Sequence, residues 1–565
     1  MSISIYQLLP RLWGNTSHRR IPNGDILTNG CGKMNDISTS DLQSIKTLGI
    51  THIWYTGILE HATQTSYSEF GIAEDHPSVV KGKAGSPYAI KDYYDVDPDL
   101  AVDISKRMAE FESLIDRTHK AGLKVIIDFV PNHVARQYRS DSKPSGSKDF
   151  GENDRTDLSF STQNNFYYIP NEEFSLKLIT GEKLSSYTEN PAKVTGNDCF
   201  TASPAVTDWY ETVKLNYGVD YINEGSSYFA PIPDTWNKML EILLFWSNKG
   251  IDGFRCDMAE MVPISFWKWC IGKVKALHPS VIFIAEVYSE NRYWEFIREG
   301  RFDYLYDKVG LYDGLISVLQ KRGSTSCIRD IVTRQHDISS HILRFMENHD
   351  EQRLASTFIA GDGQKAFPAM VVSTLVDSSA IMTYFAQELG EEGMDEEGFS
   401  GRDGRTTIFD YWSLPKLQEW REKRLQDRSL YDKNILREKY EKLLNAKLNH
   451  NVFNSPHYYD LNYILALPSK ERDATALFLR WNKTNPNEMA IVSANFSDIP
   501  IVTEWKMPEK ALEIIGLPNL TLWNVTMLFG GTETIYSISN NISIPLTLAP
   551  YEANIIMMSR IMDKN

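Results

Sequence analysis

The sequence predicts an α/β protein: a closed barrel of eight parallel strands alternating with helices, interrupted by one inserted domain and followed by a β-sandwich. Three observations support this fold. Segments with helical spacing of apolar residues alternate with short apolar strands over most of the chain. The strands are continuous β-branched runs, which indicates burial on both faces and favours a closed barrel over an open sheet. Beyond residue 450 the pattern changes to the polar–apolar alternation of antiparallel strands.

The barrel elements follow one another in a regular order. The chain begins with the strand in "ISIYQLLPRLWG", and a helix followed by a strand comes next in "DLQSIKTLGITHIWYTG". Between Asp103 and Gly122 apolar residues keep helical spacing, and "LKVIIDFV" after the glycine is a buried strand. The same order returns in "TWNKMLEILLFWSNKGIDGFRCD", "PISFWKWCIGKVKALHPSVIFIAEV", "ISSHILRFMENHD" and "FPAMVVSTLVDSSAIMTYFAQELG". We therefore assign residues 1–132 and 213–450 to a (β/α)8 or TIM barrel.

Two regions depart from this rhythm. After the third strand, about 80 residues are rich in Ser, Asp, Asn and Gly, which is too long for an ordinary loop. We assign residues 133–212 to a small inserted domain beside the mouth of the barrel. Residues 451–565, with alternating stretches such as "ATALFLRWN" and "MAIVSANFS", are assigned to a C-terminal β-sandwich.

Composition narrows the location and the partners. No run approaches the roughly 20 apolar residues of a membrane span, and the N-terminus lacks a signal-peptide pattern. The five cysteines are scattered without a C-x-x-C pair, which indicates reduced thiols and favours a cytoplasmic location; a removed signal peptide stays an alternative. The net charge of -15 argues against nucleic acid and membranes as partners and favours a neutral or cationic ligand.

Polar side chains gather where the predicted strands end. They are Asp128, Arg255, Asp257, Glu286, His349 and Asp350. In such barrels the loops after the strands converge on one face, and that face carries the active site. Two carboxylates there can cleave a glycosidic bond with retention, one as the nucleophile and one, with a raised pKa, as the general acid. The alternative for any single acid is a structural ion pair.

Four short stretches resemble the α-amylase family of glycoside hydrolases. They are "DFVPNH" (128–133), "GFRCD" (253–257), "AEV" (285–287) and "ENHD" (347–350), in that family's order and on the expected strands. The resemblance implies that Asp257 is the nucleophile and Glu286 the general acid/base. It implies that Asp350 binds sugar hydroxyls and stabilises the transition state.

The same resemblance implies substrate-binding roles for further residues. Arg255 would orient Asp257 and keep it ionised, since a guanidinium lowers a neighbouring carboxylate pKa. His133 and His349 would hydrogen-bond the sugar at the cleaved bond. Tyr88, in "GSPYAIKDYYDVDP", would stack under that sugar, with a buried core tyrosine as the alternative.

Departures from the family pattern concern calcium. Starch-degrading members usually show a Lys-His pair where this chain has Glu260 and Met261. In "ETVKLNYG", Lys214 stands where calcium-binding members have an aspartate, and its ammonium can satisfy Asn132 in place of the ion. We therefore expect no required cofactor and doubt a structural calcium at that position. The metal ligands, if any, stay unknown.

The "KLN" of that stretch resembles the neopullulanase and cyclomaltodextrinase branch. The chain starts with the first barrel strand, without the N-terminal β-domain through which many of those enzymes dimerise, so the oligomeric state stays open. We expect a retaining hydrolase of α-1,4 bonds in maltooligosaccharides, cyclodextrins or related α-glucans. One alternative is an α-glucan transglycosylase or oligo-α-1,6-glucosidase with the same acids, in which Glu260 lies where an acceptor binds. The other is a catalytically silent sugar-binding protein, which is expected to lack one or more of these acids.

Overall fold

A closed barrel of eight parallel strands forms the centre of the molecule. The structure is a computed structural model that describes residues 3–176, 187–393, 399, 401–426, 434–517, 521–529, 533–538 and 542–561. The barrel strands are β1 (Ser4–Leu8), β2 (His52–Tyr55), β3 (Lys124–Phe129), β4 (Gly253–Cys256), β5 (Ile282–Ala285), β6 (Tyr304–Tyr306), β7 (Ile342–Phe345) and β8 (Ala380–Tyr384). Each pairs with the next in chain order, and β8 closes the barrel on β1 with Gln7 opposite Tyr384. The predicted (β/α)8 barrel is confirmed.

Helices cover the outside of the barrel and connect its strands. The principal ones are α1 (Thr39–Thr47), α2 (Arg107–Lys120), α3 (Asp234–Asn248), α4 (Ile264–Leu277), α5 (Tyr293–Arg298), α6 (Asp313–Leu319), α7 (Ser326–Gln335), α8 (Gly363–Leu375), α9 (Pro415–Gln426) and α10 (Ile435–Asn449). Helix α1 begins with a capping box, in which Ser38 and Asp41 bond each other's backbone N–H. Helix α8 is apolar on all sides because it lies between the barrel and the C-terminal sheet.

Two long connections between barrel elements lie at the end of the barrel where the active site is expected. In the loop after β2, strands Leu59–His61 and Ile90–Val96 form an antiparallel hairpin. In the long segment between β3 and α3, strand His133–Ala135 pairs with Thr212–Lys214. The boundary that we predicted between residues 212 and 213 stays a prediction, and it falls inside the second of these strands.

The C-terminal region consists of two antiparallel sheets. Its strands are β9 (Tyr458–Asp460), β10 (Thr475–Asn482), β11 (Asn485–Asn495), β12 (Ile501–Trp505), β13 (Thr521–Met527), β14 (Glu533–Ile538), β15 (Ile544–Leu548) and β16 (Ala553–Arg560). Strands β12 and β15 form one sheet, and the other six form the second in the order β9-β10-β11-β16-β13-β14. Leu477 and Leu479 of β10 face a core shared with the small sheet, whereas Phe478 faces the barrel. This two-layered arrangement agrees with the predicted β-sandwich.

None of the helices in the described ranges combines the length and the apolar character needed to cross a membrane.

Candidate active site

The predicted site residues lie around one cavity at the carboxyl end of the barrel. Asp257 directly follows β4 and Glu286 directly follows β5, while His349 and Asp350 come shortly after β7. The cavity has a volume of about 430 Å³. Of the eight residues predicted, six line it: Tyr88, His133, Asp257, Glu286, His349 and Asp350. Arg255 and Glu260 are not among its lining residues.

Arg255 lies beneath the cavity floor and contacts the catalytic candidates from below. Its side chain is fully buried. Nη1 donates to Asp257 Oδ1 at 2.7 Å, and Nη2 lies 2.8 Å from Glu286 Oε2, an ion pair without hydrogen-bond geometry. The guanidinium carbon also lies over three aromatic rings, those of Trp54, Tyr88 and Tyr306, at 5.4, 5.3 and 5.4 Å from their centroids. A buried cation needs such partners, and it holds both carboxylates in fixed positions.

Asp257 has the environment of a carboxylate that must stay ionised although it is enclosed. Burial raises its pKa, and the Arg255 guanidinium opposes that rise. Its backbone N–H bonds to Phe129 O of the neighbouring strand at 2.9 Å, which fixes where the side chain leaves the barrel. A carboxylate so held can act as a nucleophile toward an atom in the cavity.

Glu286 is arranged to keep a proton. Burial raises its pKa, and the negative charge of Asp257 raises it further, while Arg255 opposes both. Met258 N donates to Oε2 at 2.7 Å, and Tyr288 Oη donates to Oε1 at 2.7 Å. Met258 has a φ of 43°, in the left-handed region that a side chain with a Cβ rarely adopts. This conformation aims its N–H at Glu286.

His349 and Asp350 act as a pair. The Gln7 amide nitrogen donates to His349 Nδ1 at 2.8 Å, so the ring proton of the neutral imidazole is on Nε2. Nε2 lies 3.1 Å from Asp350 Oδ2. Burial lowers the pKa of His349, and the Arg255 charge lowers it further, so the ring stays neutral. The Asp350 side chain is 40% exposed toward the cavity, and its pKa is raised by its enclosure and by the charge of Glu286.

Tyr88 and His133 both line the cavity. The Tyr88 ring stacks on His349 with centroids 5.0 Å apart and planes inclined by 23°, and its hydroxyl donates to Asp128 Oδ1 at 3.3 Å. His133 Nδ1 accepts from the Asn132 amide at 3.1 Å. Burial lowers the pKa of His133 to about 3, so this ring is neutral as well.

The structure gives Glu260 a different contact from the one predicted. Its Oε2 accepts from the backbone N–H groups of Tyr288 and Ser289, each at 3.1 Å. Glu260 therefore fixes the loop that carries Tyr288, and Tyr288 contacts the acid/base candidate. A role for Glu260 in binding an acceptor stays a prediction.

Sequence reasoning missed several residues that line the cavity: Lys81, Trp209, Glu211 and Tyr288. Lys81 and Glu211 form an ion pair at 3.0 Å that joins the loop after β2 to the inserted segment. No local pattern could reveal this pair, because its members are far apart in the chain. Tyr288 had a signal, since it lies two residues after Glu286 and can point to the same side of an extended segment.

The position discounted for calcium holds a lysine side chain. Lys214 Nζ donates to Asn132 Oδ1 at 3.0 Å and forms an ion pair with Asp198. The predicted Lys214–Asn132 contact is thus present. That no calcium is required there stays a prediction.

Comparison with known proteins identifies the family. The family model described as alpha amylase, catalytic domain, matches residues 7–416. Alpha-amylase 3 of Dictyoglomus thermophilum is 24% identical over 384 residues, which are 64% of this chain and 66% of that protein. Neopullulanase 2 of Thermoactinomyces vulgaris is 21% identical over 317 residues, which are 54% of this chain and 44% of that protein. The chain thus spans less than two thirds of the length of either relative.

A solved structure agrees with these matches at the level of the fold. The α-amylase of Geobacillus thermoleovorans, determined with acarbose, has a TM-score of 0.63 and 17% identity, covering 100% of this chain and 99% of that one. A barrel with acids at its strand ends and a matching family model define the class of protein. The chain belongs to the α-amylase family, as its sequence motifs predict.

Proposed function

We propose that this protein is an α-glucan-active enzyme of the glycosidase and transglycosylase type, and more specifically a retaining hydrolase of α-1,4-glucosidic bonds. The observation that carries this proposal is the pair Asp257 and Glu286 on either side of the Arg255 guanidinium. Burial raises the pKa of both carboxyl groups and Arg255 opposes the rise in each, while the charge of Asp257 raises the pKa of Glu286 further. Retaining glycosidases need one ionised and one protonated carboxyl group, and we assign the proton to Glu286.

The proposed reaction has two steps. Asp257 attacks the anomeric carbon while Glu286 gives its proton to the glycosidic oxygen, so the sugar becomes esterified to Asp257 and the remaining glucan leaves. Glu286, now a carboxylate, then takes a proton from water as the water oxygen attacks the same carbon. The ester breaks, Asp257 is regenerated, and the product keeps the α configuration. His349 and Asp350 would hold sugar hydroxyls, with Tyr88 under the ring.

The substrate proposal rests on the side chains that line the cavity and on the relatives. Both histidines are neutral, and Tyr88 and Trp209 add aromatic rings to the lining, as is typical of sites that hold sugars. The names of the two relatives, an α-amylase and a neopullulanase, support an α-glucan as the substrate, and we propose short α-1,4 glucans or cyclodextrins. We propose further that no ion is needed beside Asn132, and we keep the cytoplasmic location as a prediction.

The decisive variant is Glu286→Gln. It cannot protonate the leaving oxygen, so turnover of maltooligosaccharides should fall by a factor of about a hundred to ten thousand. An α-glucosyl fluoride needs no such proton, so Asp257 should still react and the glycosyl-enzyme should accumulate. Added azide should then restore turnover and give the α-glycosyl azide.

The control variant is Asp257→Ala, which should lose both reactions because no nucleophile remains. Full activity of Glu286→Gln, or formation of the β-azide, would contradict the assigned roles. Product analysis on maltotriose, β-cyclodextrin, pullulan and isomaltose distinguishes the remaining alternatives. Panose from pullulan supports the neopullulanase-like activity, glucose from isomaltose alone supports α-1,6 specificity, and longer oligosaccharides from maltotriose indicate transfer.

A further inference from the structure

A second group of acids lies at the hairpin that follows β2, away from the catalytic cavity. It consists of Glu60, Asp92, Asp95 and Asp141, named here the hairpin acid cluster, and one carboxylate oxygen from each lies within 4.8 Å of the others. Glu60 and Asp92 are opposite each other in the hairpin, and Asp141 comes from the start of the inserted segment. None of the four lines the catalytic cavity.

Two members of the cluster are held in place by donors from the protein. The Asp92 carboxylate accepts four hydrogen bonds, from Tyr94 N (2.8 Å), Ser140 Oγ (2.7 Å), Asp141 N (2.9 Å) and Ser142 N (3.1 Å). Asp95 is paired with Arg107, whose Nε donates at 3.0 Å. These contacts orient the carboxylates and fix the position of the Asp141 backbone. The cluster is therefore preorganised.

Glu60 has no such partner. Its residue is 1% exposed, and Oε2 is buried without a hydrogen-bond donor. Burial and the neighbouring carboxylates raise the pKa of Glu60 to about 10. Burial, with a contribution from the charge of Asp95, raises the pKa of Asp92 to about 7. A buried polar atom without a partner is costly, and an ordered water molecule or an ion is the usual partner where the protein supplies none.

The nearby cationic side chains do not supply the missing partner. Lys91 Nζ lies 2.9 Å from Asp75 Oδ2 and also donates to Ala73 O. Arg107 forms its ion pair with Asp95. Arg107 thus pairs with one acid of the cluster and Lys91 pairs with an acid outside it, so the other three acids, Glu60 among them, form no ion pair in the described structure.

We propose that the hairpin acid cluster binds one divalent cation, with calcium preferred over magnesium. Hard cations take carboxylate oxygens, and calcium places them at about 2.3–2.6 Å, so ligands on opposite sides of the ion lie up to about 5 Å apart. The 4.8 Å limit of the cluster fits that span. Asp141 is exposed, which gives the ion a path from solvent. The ion would join the hairpin, which leads directly to Tyr88, to the inserted segment.

This site differs from the position beside Asn132, where Lys214 is a reason to doubt calcium. The two positions differ in whether a cationic side chain already contacts the oxygens. A lysine ammonium already contacts Asn132, whereas Glu60 Oε2 lacks any partner in the described structure. Stability should therefore depend on calcium, while turnover at a temperature where the protein stays folded should not.

The test uses the whole chain after removal of metal with a chelator. Calorimetric titration with CaCl2 should show one site, with a Kd in the range of about 10⁻⁷ to 10⁻³ M, and MgCl2 should bind at least about tenfold more weakly. Calcium should raise the melting temperature. Asp141→Asn, an exposed change that spares the core, should weaken the binding at least about tenfold. The matched control is Asp116→Asn, an exposed acid on α2 paired with Lys120, and it should bind calcium as the wild type does.

Glu60→Gln gives a result that a merely structural role for this acid would not. The Gln amide has nearly the same shape as the Glu carboxyl group that it replaces, and it carries no charge to be compensated. The metal-free variant should therefore melt at or above the temperature of the metal-free wild type. Its response to calcium should be lost. The proposal is wrong if calcium up to about 10 mM neither binds nor raises the melting temperature of the wild type. It is equally wrong if Glu60→Gln and Asp141→Asn respond to calcium as the wild type does.

Discussion

The two acid clusters of this protein differ in how their buried carboxylates are paired with a cation. In the catalytic cluster, Arg255 contacts Asp257 and Glu286, and it lies 3.6 Å from Asp128 Oδ1. In the hairpin acid cluster, the only ion pair among the described residues is that of Asp95 with Arg107, and Glu60 Oε2 has no donor. The first cluster carries its own cation; we propose that the second takes one from solution. The presence of buried carboxylates therefore does not by itself distinguish a catalytic site from a metal site. The cation that pairs with them distinguishes the two.

Lys214 supplies a third case that lies between these two. Asn132 and Asp198 offer oxygens of the kind that calcium takes, yet both contact a lysine ammonium. A lysine side chain thus contacts oxygens that a metal ion could otherwise take. The comparison predicts that removing the cationic side chain from the catalytic cluster or from the position beside Asn132, or the proposed ion from the hairpin acid cluster, lowers stability.

Among variants that remove a cationic side chain, the largest expected effect follows from removing Arg255. Arg255→Gln leaves the catalytic carboxyl groups without their cation, so kcat/KM on maltooligosaccharides should fall by about a hundred- to a thousandfold. Because the guanidinium lowers the pKa of Asp257, its loss should move the acid limb of the kcat/KM profile to higher pH. The measurement is that pH profile, together with the melting temperature.

Loss of the fold must be separated from loss of function in this variant. Breaking a buried ion pair destabilises proteins by about 3–5 kcal/mol, so assays belong well below the melting temperature of the variant. Arg255→Lys keeps the charge without the two-pronged geometry and should recover part of the lost rate. An acid limb that stays in place in Arg255→Gln would show that Arg255 does not control the ionisation of Asp257.

A smaller effect is expected at Lys214. Lys214→Met leaves Asn132 Oδ1 without its donor and removes the partner of Asp198, and it should destabilise the protein by about 1–3 kcal/mol. Lys214→Asp should behave differently, because it adds a carboxylate where the ammonium was. Calcium should restore the melting temperature of Lys214→Asp and not that of Lys214→Met.

Lys214→Met and Lys214→Asp should be compared in a protein that does not bind calcium at the hairpin acid cluster, namely the Glu60→Gln variant. In Glu60→Gln, calcium at the hairpin acid cluster cannot contribute to the melting temperature. Lys120→Met, a change at an exposed lysine on α2, controls for the loss of a positive charge. If calcium raises the melting temperature of Glu60→Gln by less than that of the wild type, a second ion binds elsewhere in the protein, and the two Lys214 variants are compared with that baseline.

The fold and the catalytic candidates could be predicted from the sequence because their signals are local. A buried strand is a short apolar run, and Asp257 and Glu286 follow such runs directly. The positions of Glu60 and Asp141 could not be predicted in this way. Their approach depends on the register of the hairpin, which is shifted by bulges around Glu60, and on the path of the inserted segment. Glu260 shows a third limit, because no local pattern revealed the hydrogen bonds that its carboxylate accepts from backbone N–H groups, while its role in binding an acceptor stays a prediction.

The smallest expected effect concerns Tyr288 and sharpens the assignment of Glu286. The Tyr288 hydroxyl donates to Oε1, and this hydrogen bond lowers the pKa of Glu286 against the rise caused by burial. Tyr288→Phe removes one hydrogen bond, worth about 0.5–1.5 kcal/mol, so kcat should fall by no more than about tenfold with little change in KM. Loss of this hydrogen bond should raise the pKa of Glu286. Because Glu286 acts only while it holds its proton, the alkaline limb of the pH profile should move to higher pH. The acid limb, set by Asp257, should stay. A uniform loss of rate across the pH range would mean that Tyr288 only supports the loop, and that the proton on Glu286 is controlled by Asp257 and Arg255 alone.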